Sequence, residues 1–269
     1  MPIDEIFFFA TQDVTWWIPS WHIWKWCVLI LGGVACGFIN TLAGGGSLIT
    51  LPLLIFLGMN PLVANGTNRL SLSVQYMISA IGFWTGGVKL SRFVVLLALP
   101  GLLGVQLGAQ LASRMSPDGF RFALGIILLF AIIPIFFKAQ KWFVQEDESE
   151  GKPKFALIPL FLLVGIYSGF ITVGVGVWSL IVLLGMGGYS VNHANAVKAL
   201  ILSLYAILGT IVFLQHDQVN FLVGGVLAGG MAGGAWIATR LALKGALPWL
   251  RWVLLFAVVG ASLRLLGVL

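Results

Sequence analysis

Two basic residues stand where charge is costly. Arg69 and Lys198 each follow a short polar stretch, Asn65-Gly66-Thr67-Asn68 and His193-Ala194-Asn195, at the starts of long apolar segments. The segment before each is about half the length of a membrane crossing, so a chain that turns back there places both charges below the surface. A cation in that position costs about 3 kcal/mol or more unless paired. All nine acidic residues lie elsewhere, in the first residues, in the polar run 146–150, or in short turns at Asp118 and Asp217. With no carboxylate in an apolar segment, the natural partner is a bound anion. Lys198 is the first candidate and Arg69 the second, because the helix start at Lys198 is the less interfacial.

Neighbouring residues have the right chemistry for the same task. Gly44, Gly45, Gly46 and Ser47, and likewise Gly174 and Gly176, precede the short segments. Helix starts carry free N–H groups and the positive end of the helix dipole, which attract anions. Glycine lets an anion approach that backbone closely. Asn65, Thr67, Asn68 and Asn195 add side-chain donors, and His193 beside them can lend or take a proton near neutral pH. Each residue also has a structural reading. Glycines let helices pack, Asn and Thr cap them, Arg69 or Lys198 reaches a lipid headgroup, and a lone His near a turn is hydrogen-bonded. Gln75, Tyr76, Ser203 and Tyr205, about two turns further on, either line a pathway or bridge helices.

Nothing here supplies a reaction. Cys27 and Cys36 lie nine apart, neither a redox pair nor a metal-ligand spacing, and read as small packing residues. No HExxH, Walker loop or GxSxG occurs. Without buried acids or a His cluster there is no acid–base machinery. The expectation is no catalytic residue, no metal, no cofactor and no enzyme. A cation pump, which commonly holds a carboxylate in the membrane, is disfavoured on the same ground.

The elements that must position these residues are membrane segments. Of 269 residues, 59% are hydrophobic and 9% charged, against about 25% charged in a soluble domain. Fifteen Lys and Arg give a formal charge of +6, but they are scattered, with no stripe to follow a nucleic acid. The apolar runs are continuous, unlike the alternating strands of a barrel. The expected fold is therefore all-α and polytopic. Ten apolar segments run at 24–43, 47–58, 69–88, 92–112, 119–138, 155–172, 177–187, 195–215, 218–241 and 247–267. The segments 47–58 and 177–187 are too short to cross. Glycine-interrupted short segments at matching places in two halves point to a transporter's binding site.

The halves repeat each other at an offset of about 130 residues. Gly37-Phe38-Ile39 matches Gly169-Phe170-Ile171, Ala64-Asn65 matches Ala194-Asn195, and Gly104, Gly108 and Arg114 match Gly230, Gly234 and Arg240. The domain reading is an external tail 1–23, a first repeat 24–138, a cytoplasmic linker 139–154 and a second repeat 155–269. Five segments per half make the repeats inverted. Lys89, Arg92 and the linker lysines mark the cytoplasmic side, as does Lys244 in the second half. Arg114 and Arg121 then fall outside, against the trend. The tail carries Asp4, Glu5 and Asp13 and no basic residue before Lys25, so it reads as retained rather than as a cleaved leader. Both termini are expected outside. Trp16, Trp17, Trp21, Trp24, Trp26, Trp249 and Trp252 suit an interfacial belt.

The motifs also resemble a known family. Gly37-Phe-Ile-Asn40-Thr41-Leu-Ala-Gly44-Gly45-Gly46-Ser47, then Pro52, Gly58 and Ala64-Asn65-Gly66-Thr67, is similar to the first-half signature of the sulfite exporter TauE/SafE family. Gly165-Ile-Tyr-Ser-Gly169-Phe-Ile-Thr-Val-Gly174-Val-Gly176 and His193-Ala194-Asn195-Ala196-Val197-Lys198 resemble the second. The resemblance implies a permease of the bacterial or archaeal inner membrane with duplicated halves, exporting sulfite or a small organosulfonate such as sulfoacetate. Thr172, Val173 and Val177 stand where family members often have Gly or Ser, which leaves the substrate within the family open. The expected partners are a small anion and the lipid bilayer, with no nucleic acid and the oligomeric state undetermined. An anion channel, or a permease for a carboxylate, is the alternative.

Overall fold

The computed structural model describes residues 21–136 and 154–244, with backbone alone over 129–136. The segment 247–267, the tail 1–20 and most of the linker lie outside the described residues. The described elements are α1 (Ile23–Ala43), α2 (Ser47–Phe56), α3 (Pro61–Thr85), α4 (Phe93–Ser113) and α5 (Pro117–Phe136) in the first half. In the second half they are α6 (Leu157–Phe170), α7 (Val175–Leu180, continuing as a π-helical turn Ile181–Met186), α8 (Val191–Leu214) and α9 (Phe221–Leu243). Among the described residues, α1, α4, α8 and α9 are long and apolar enough to cross a membrane.

The two long central helices begin earlier than the apolar pattern suggests. α3 starts at Pro61 and not at 69, so Asn65 to Arg69 are helical rather than a polar turn. Asn60 caps it, its side chain accepting from the Leu62 N–H at 3.0 Å, and Pro61 takes the first helical position, where a missing N–H costs nothing. α8 likewise starts at Val191 under a Ser190 cap, so His193 and Asn195 are helical too. Asn, Gly and Thr have weak helix propensity, and packing between the halves overrides it.

The breaks fall where glycine was expected to place them. α1 ends on Gly44, whose φ of 73° is left-handed and whose N–H returns to the Asn40 carbonyl at 2.9 Å. Gly174, with φ 71°, opens α7 in the same conformation. Each broken pair then folds back as a hairpin. The Lys25 ammonium donates to the Leu57 carbonyl at 3.0 Å, tying the end of α2 to the start of α1. Lys154 does the same for the second half, donating to the Met186 carbonyl at 2.6 Å.

The helices pack reciprocally between halves. α4 lies along α6 and α9 along α1; α3 and α8 cross at the centre, α3 also meeting α9 and α8 meeting α4. Glycine makes the two long contacts possible. A Cβ at Gly37 would collide with the Met231 backbone and one at Gly234 with the Val34 carbonyl. In the other pair, Gly165 lies against the Gly101 backbone and Gly108 against the Ile166 carbonyl. Small residues at such spacing let backbones approach, as lipid-embedded helices require. The outer faces are apolar: Leu103 and Leu107 on α4 are 69% and 63% exposed, an arrangement suited to lipid and costly in water.

Candidate functional site

Lys198 is fully buried on α8 and reaches across to the broken end of α1. Its ammonium donates to the carbonyls of Asn40 at 3.0 Å and Thr41 at 2.9 Å, and to Asn195 Oδ1 at 2.6 Å. Asn195, one turn earlier on α8, donates from Nδ2 to the Leu42 carbonyl at 3.3 Å. The end of α1 thus receives a cation and an amide from the opposite half. The last carbonyls of a helix lack internal partners and carry the negative end of the dipole, so a buried ammonium answers both needs.

Arg69 performs the matching task for α6. It is buried on α3, and its guanidinium donates to the carbonyls of Ser168 at 2.7 Å and Gly169 at 2.5 Å. The Phe213 ring lies 4.7 Å from its Cζ, a cation–π contact. Asn65 donates to the Phe170 carbonyl at 3.1 Å, and Asn68 Nδ2 to Thr172 Oγ1 at 2.9 Å. Arg69 Nε, Asn65 Oδ1 and Asn68 Oδ1 are buried and find no partner among the described residues.

The glycine breaks of the two halves touch. A Cβ on Gly44 would strike the Gly176 backbone, and a Cβ on Gly176 the Gly44 backbone. Ser47 Oγ accepts from the Gly174 N–H at 3.1 Å. Gly45 and Gly46 lie buried in the same break, with Gly46 against the Cys36 carbonyl. The remaining two residues expected here go elsewhere. Thr67 Oγ1 accepts from the Asn220 N–H at 2.9 Å, fixing α3 to the start of α9. His193 Nδ1 lies 2.9 Å from Ser190 Oγ at the cap of α8.

The polar residues two turns further along separate into bridges and a cavity wall. Gln75 bridges α3 to α1, accepting from Asn40 Nδ2 at 2.6 Å and donating to Thr41 Oγ1 at 3.0 Å. Ser203 bonds back to the Leu200 carbonyl of its own helix. Tyr76 lines a small cavity, shared with Leu72 on α3, with Leu202 and Ala206 on α8, and with Ser168, Thr172 and Val175 at the second break. It has room for about one water.

Sequence reasoning sought the partner of each buried cation in a bound anion. The nearest partners are instead helix-end carbonyls, and Asn40, Thr41, Ser168 and Gly169 were missed as their carriers. The signal was available: a helix broken by glycine in an apolar setting must find donors for its last carbonyls. What those carbonyls leave is the charge itself. All of these acceptors are neutral, and no acidic residue occurs in any described helix beyond Asp118 at the start of α5. Neutral acceptors leave both charges uncancelled among the described residues, while Asn65, Asn68 and Asn195 already donate to the chain and the amide oxygens of Asn40, Asn65 and Asn68 are left as unpartnered acceptors.

Comparison with known proteins agrees in class. The model of the sulfite exporter TauE/SafE family matches residues 29–265. A probable membrane transporter protein of Xylella fastidiosa (strain Temecula1) is 30% identical over 222 residues, covering 78% of this chain and 83% of the relative. The probable membrane transporter protein YfcA of Escherichia coli K12 is 30% identical over 221 residues, covering 81% and 80%. A probable membrane transporter protein of Sinorhizobium, ORF9, is 26% identical over 241 residues, covering 89% and 91%. No solved structure matches the chain.

Proposed function

We propose that this chain, which belongs to the sulfite exporter TauE/SafE family, carries a small sulfur-containing anion, sulfite or an organosulfonate such as sulfoacetate, out of the cell across the inner membrane. That it is a multi-pass membrane transporter follows from the family and the apolar helices. The observation that carries the choice of an anion is the pair Lys198 and Arg69, two buried cations whose partners are neutral. The anion binds between the broken ends of α1 and α6, held by Lys198 and Arg69 with Asn65, Asn68, Asn195, Ser47 and the glycine backbones. Thr67 and His193 set the helices that present them. Reciprocal packing of the halves supports a two-fold relation between 24–138 and 155–269. The inversion rests on five segments per half and on the placement of basic residues, with both termini outside. Export of an anion from a negative interior is favourable by about 2.3 kcal/mol per charge per 100 mV, which suffices without a buried carboxylate for proton coupling.

Proteoliposomes loaded with unlabelled sulfite test this. Saturable uptake of labelled sulfite by counterflow, reduced in Lys198→Met, is expected. Flux that does not saturate and shows no counterflow would make the protein a channel. Counterflow with a cation or neutral solute and none with any sulfur anion or carboxylate would overturn the anion reading.

A further inference from the structure

The cavity between α3 and α8 lies next to the Arg69 clasp, because Ser168 belongs to both: its carbonyl receives the guanidinium and the residue lines the cavity. Its walls are of two kinds. Tyr76, Ser168 and Thr172 are hydroxyl-bearing residues, and Leu72, Val175, Leu202 and Ala206 are apolar, so most of the wall is apolar surface. Thr172 Oγ1 already accepts from Asn68 Nδ2 at 2.9 Å, so its own O–H remains to donate. The nearby Arg69 Nε is a second buried donor without a partner among the described residues. Hydroxyl and guanidinium donors suit the oxygens of a sulfonate, whereas leucine and alanine suit a carbon chain and give nothing to a second charge.

The cavity is built on matched positions of the repeat. At the offset that aligns Asn65 with Asn195, Leu72 matches Leu202 and Tyr76 matches Ala206. One pair is alike and the other is not: a phenol ring fills one side, and a methyl group leaves the other open. As the helices stand, the space holds about one water, so a ligand enters only when α3 and α8 move apart.

We propose that this cavity seats the carbon tail of the transported anion, that the preferred substrate is a monoanionic sulfonate with a short alkyl tail, and that Tyr76 and Ala206 together set the longest tail accepted. The proposal rests on the anion reading above and narrows it. One methylene more or less in a fitted apolar pocket changes affinity about tenfold or more, which fixes the scale of the test.

The experiment measures binding by purified wild type, Ala206→Val and Tyr76→Ala against methane-, ethane-, propane- and butanesulfonate, with sulfite beside them. Gly225→Ala, on a surface where nothing lies within 4 Å, serves as the folding control. Wild type is expected to favour one or two carbons. Ala206→Val should weaken ethane- relative to methanesulfonate at least about tenfold, and Tyr76→Ala should move the optimum toward butanesulfonate by a similar factor. A wild-type chain-length profile in both folded variants overturns the pocket. If Tyr76→Ala does not fold, the milder Ala206→Val decides alone. Binding of sulfite with no sulfonate bound by wild type also overturns the pocket while leaving the anion reading intact. Wild type that binds no sulfur anion overturns the proposed sulfur-anion substrate itself, and with it the pocket.

Discussion

Replacing Lys198 with Met removes one charge and keeps most of the stem's volume. Three hydrogen bonds vanish with the ammonium. The Asn40 carbonyl keeps the Gly44 N–H, so the groups left unpaired are the Thr41 carbonyl and Asn195 Oδ1. Each costs about 1–3 kcal/mol, and release from burying a cation returns about 3 kcal/mol. The net change in stability stays within about 3 kcal/mol, and the variant should fold. Anion binding should respond far more. A unit charge about 5 Å from the ammonium at an effective dielectric of about 20 gains about 3 kcal/mol, or roughly two hundredfold in affinity. The assay is thermal stability against a series of sulfite and sulfonate concentrations, because a ligand of the folded state raises stability by RT ln(1 + [L]/Kd). A folded Met variant with wild-type affinity refutes the electrostatic reasoning. A variant that cannot fold refutes the accounting of the clasp.

Other perturbations follow from the same geometry. Gly37→Ala and Gly165→Ala place a methyl group against the backbone of Met231 and Gly101, which cannot yield as a side chain does. Each should destabilise by about 3 kcal/mol or more, seen as loss of monodisperse protein, while Gly225→Ala in open space gains up to about 1 kcal/mol. Arg69→Lys keeps the charge but cannot span the Ser168 and Gly169 carbonyls as a planar fork, nor stack on Phe213. It should lower the melting temperature and anion affinity together. Cysteines at Lys89 and Asp217, in the turns after α3 and α8, should label from opposite sides of the membrane; labelling from one side would refute the inverted halves.

Much of this arrangement is legible in the amino-acid sequence because membrane burial leaves few choices. The apolar runs, the two glycine breaks and the positions of Arg69 and Lys198 all come from residue type and spacing. The helix starts do not. Asn60-Pro61 and Ser190 are strong caps, but Asn65, Gly66 and Asn68 look like a turn, and only contact with the other half keeps them helical. The partners of the cations are also hidden, since a carbonyl belongs to every residue and only the crossing of the halves selects Asn40 and Thr41. Thr67 and His193 share their neighbours' chemistry in sequence and lose it in space: one serves Asn220 and the other Ser190. Tyr76 and Ala206 become informative only when α3 and α8 are seen to face each other.

The break and the charge are two sides of one physical problem. A helix that stops among apolar residues exposes carbonyls and the negative end of its dipole where water cannot reach them. At α1 its own half returns the Gly44 N–H to the Asn40 carbonyl, and the chain then turns away into the short helix that follows, leaving the Thr41 carbonyl without a donor from that half. The donor comes from the opposite half, Lys198 for α1 and Arg69 for α6, so neither half is complete alone. That solution leaves an excess of positive charge, since a neutral carbonyl satisfies the hydrogen bonds of a cation without cancelling it. A motion that parted α8 from α1, or α3 from α6, would stretch these clasps, and under the proposed function an anion then takes the carbonyls' place. On the reading proposed above, substrate binding and the loosening of the halves are therefore coupled through the same atoms. The coupling requires no carboxylate, and none occurs in the helices that carry it.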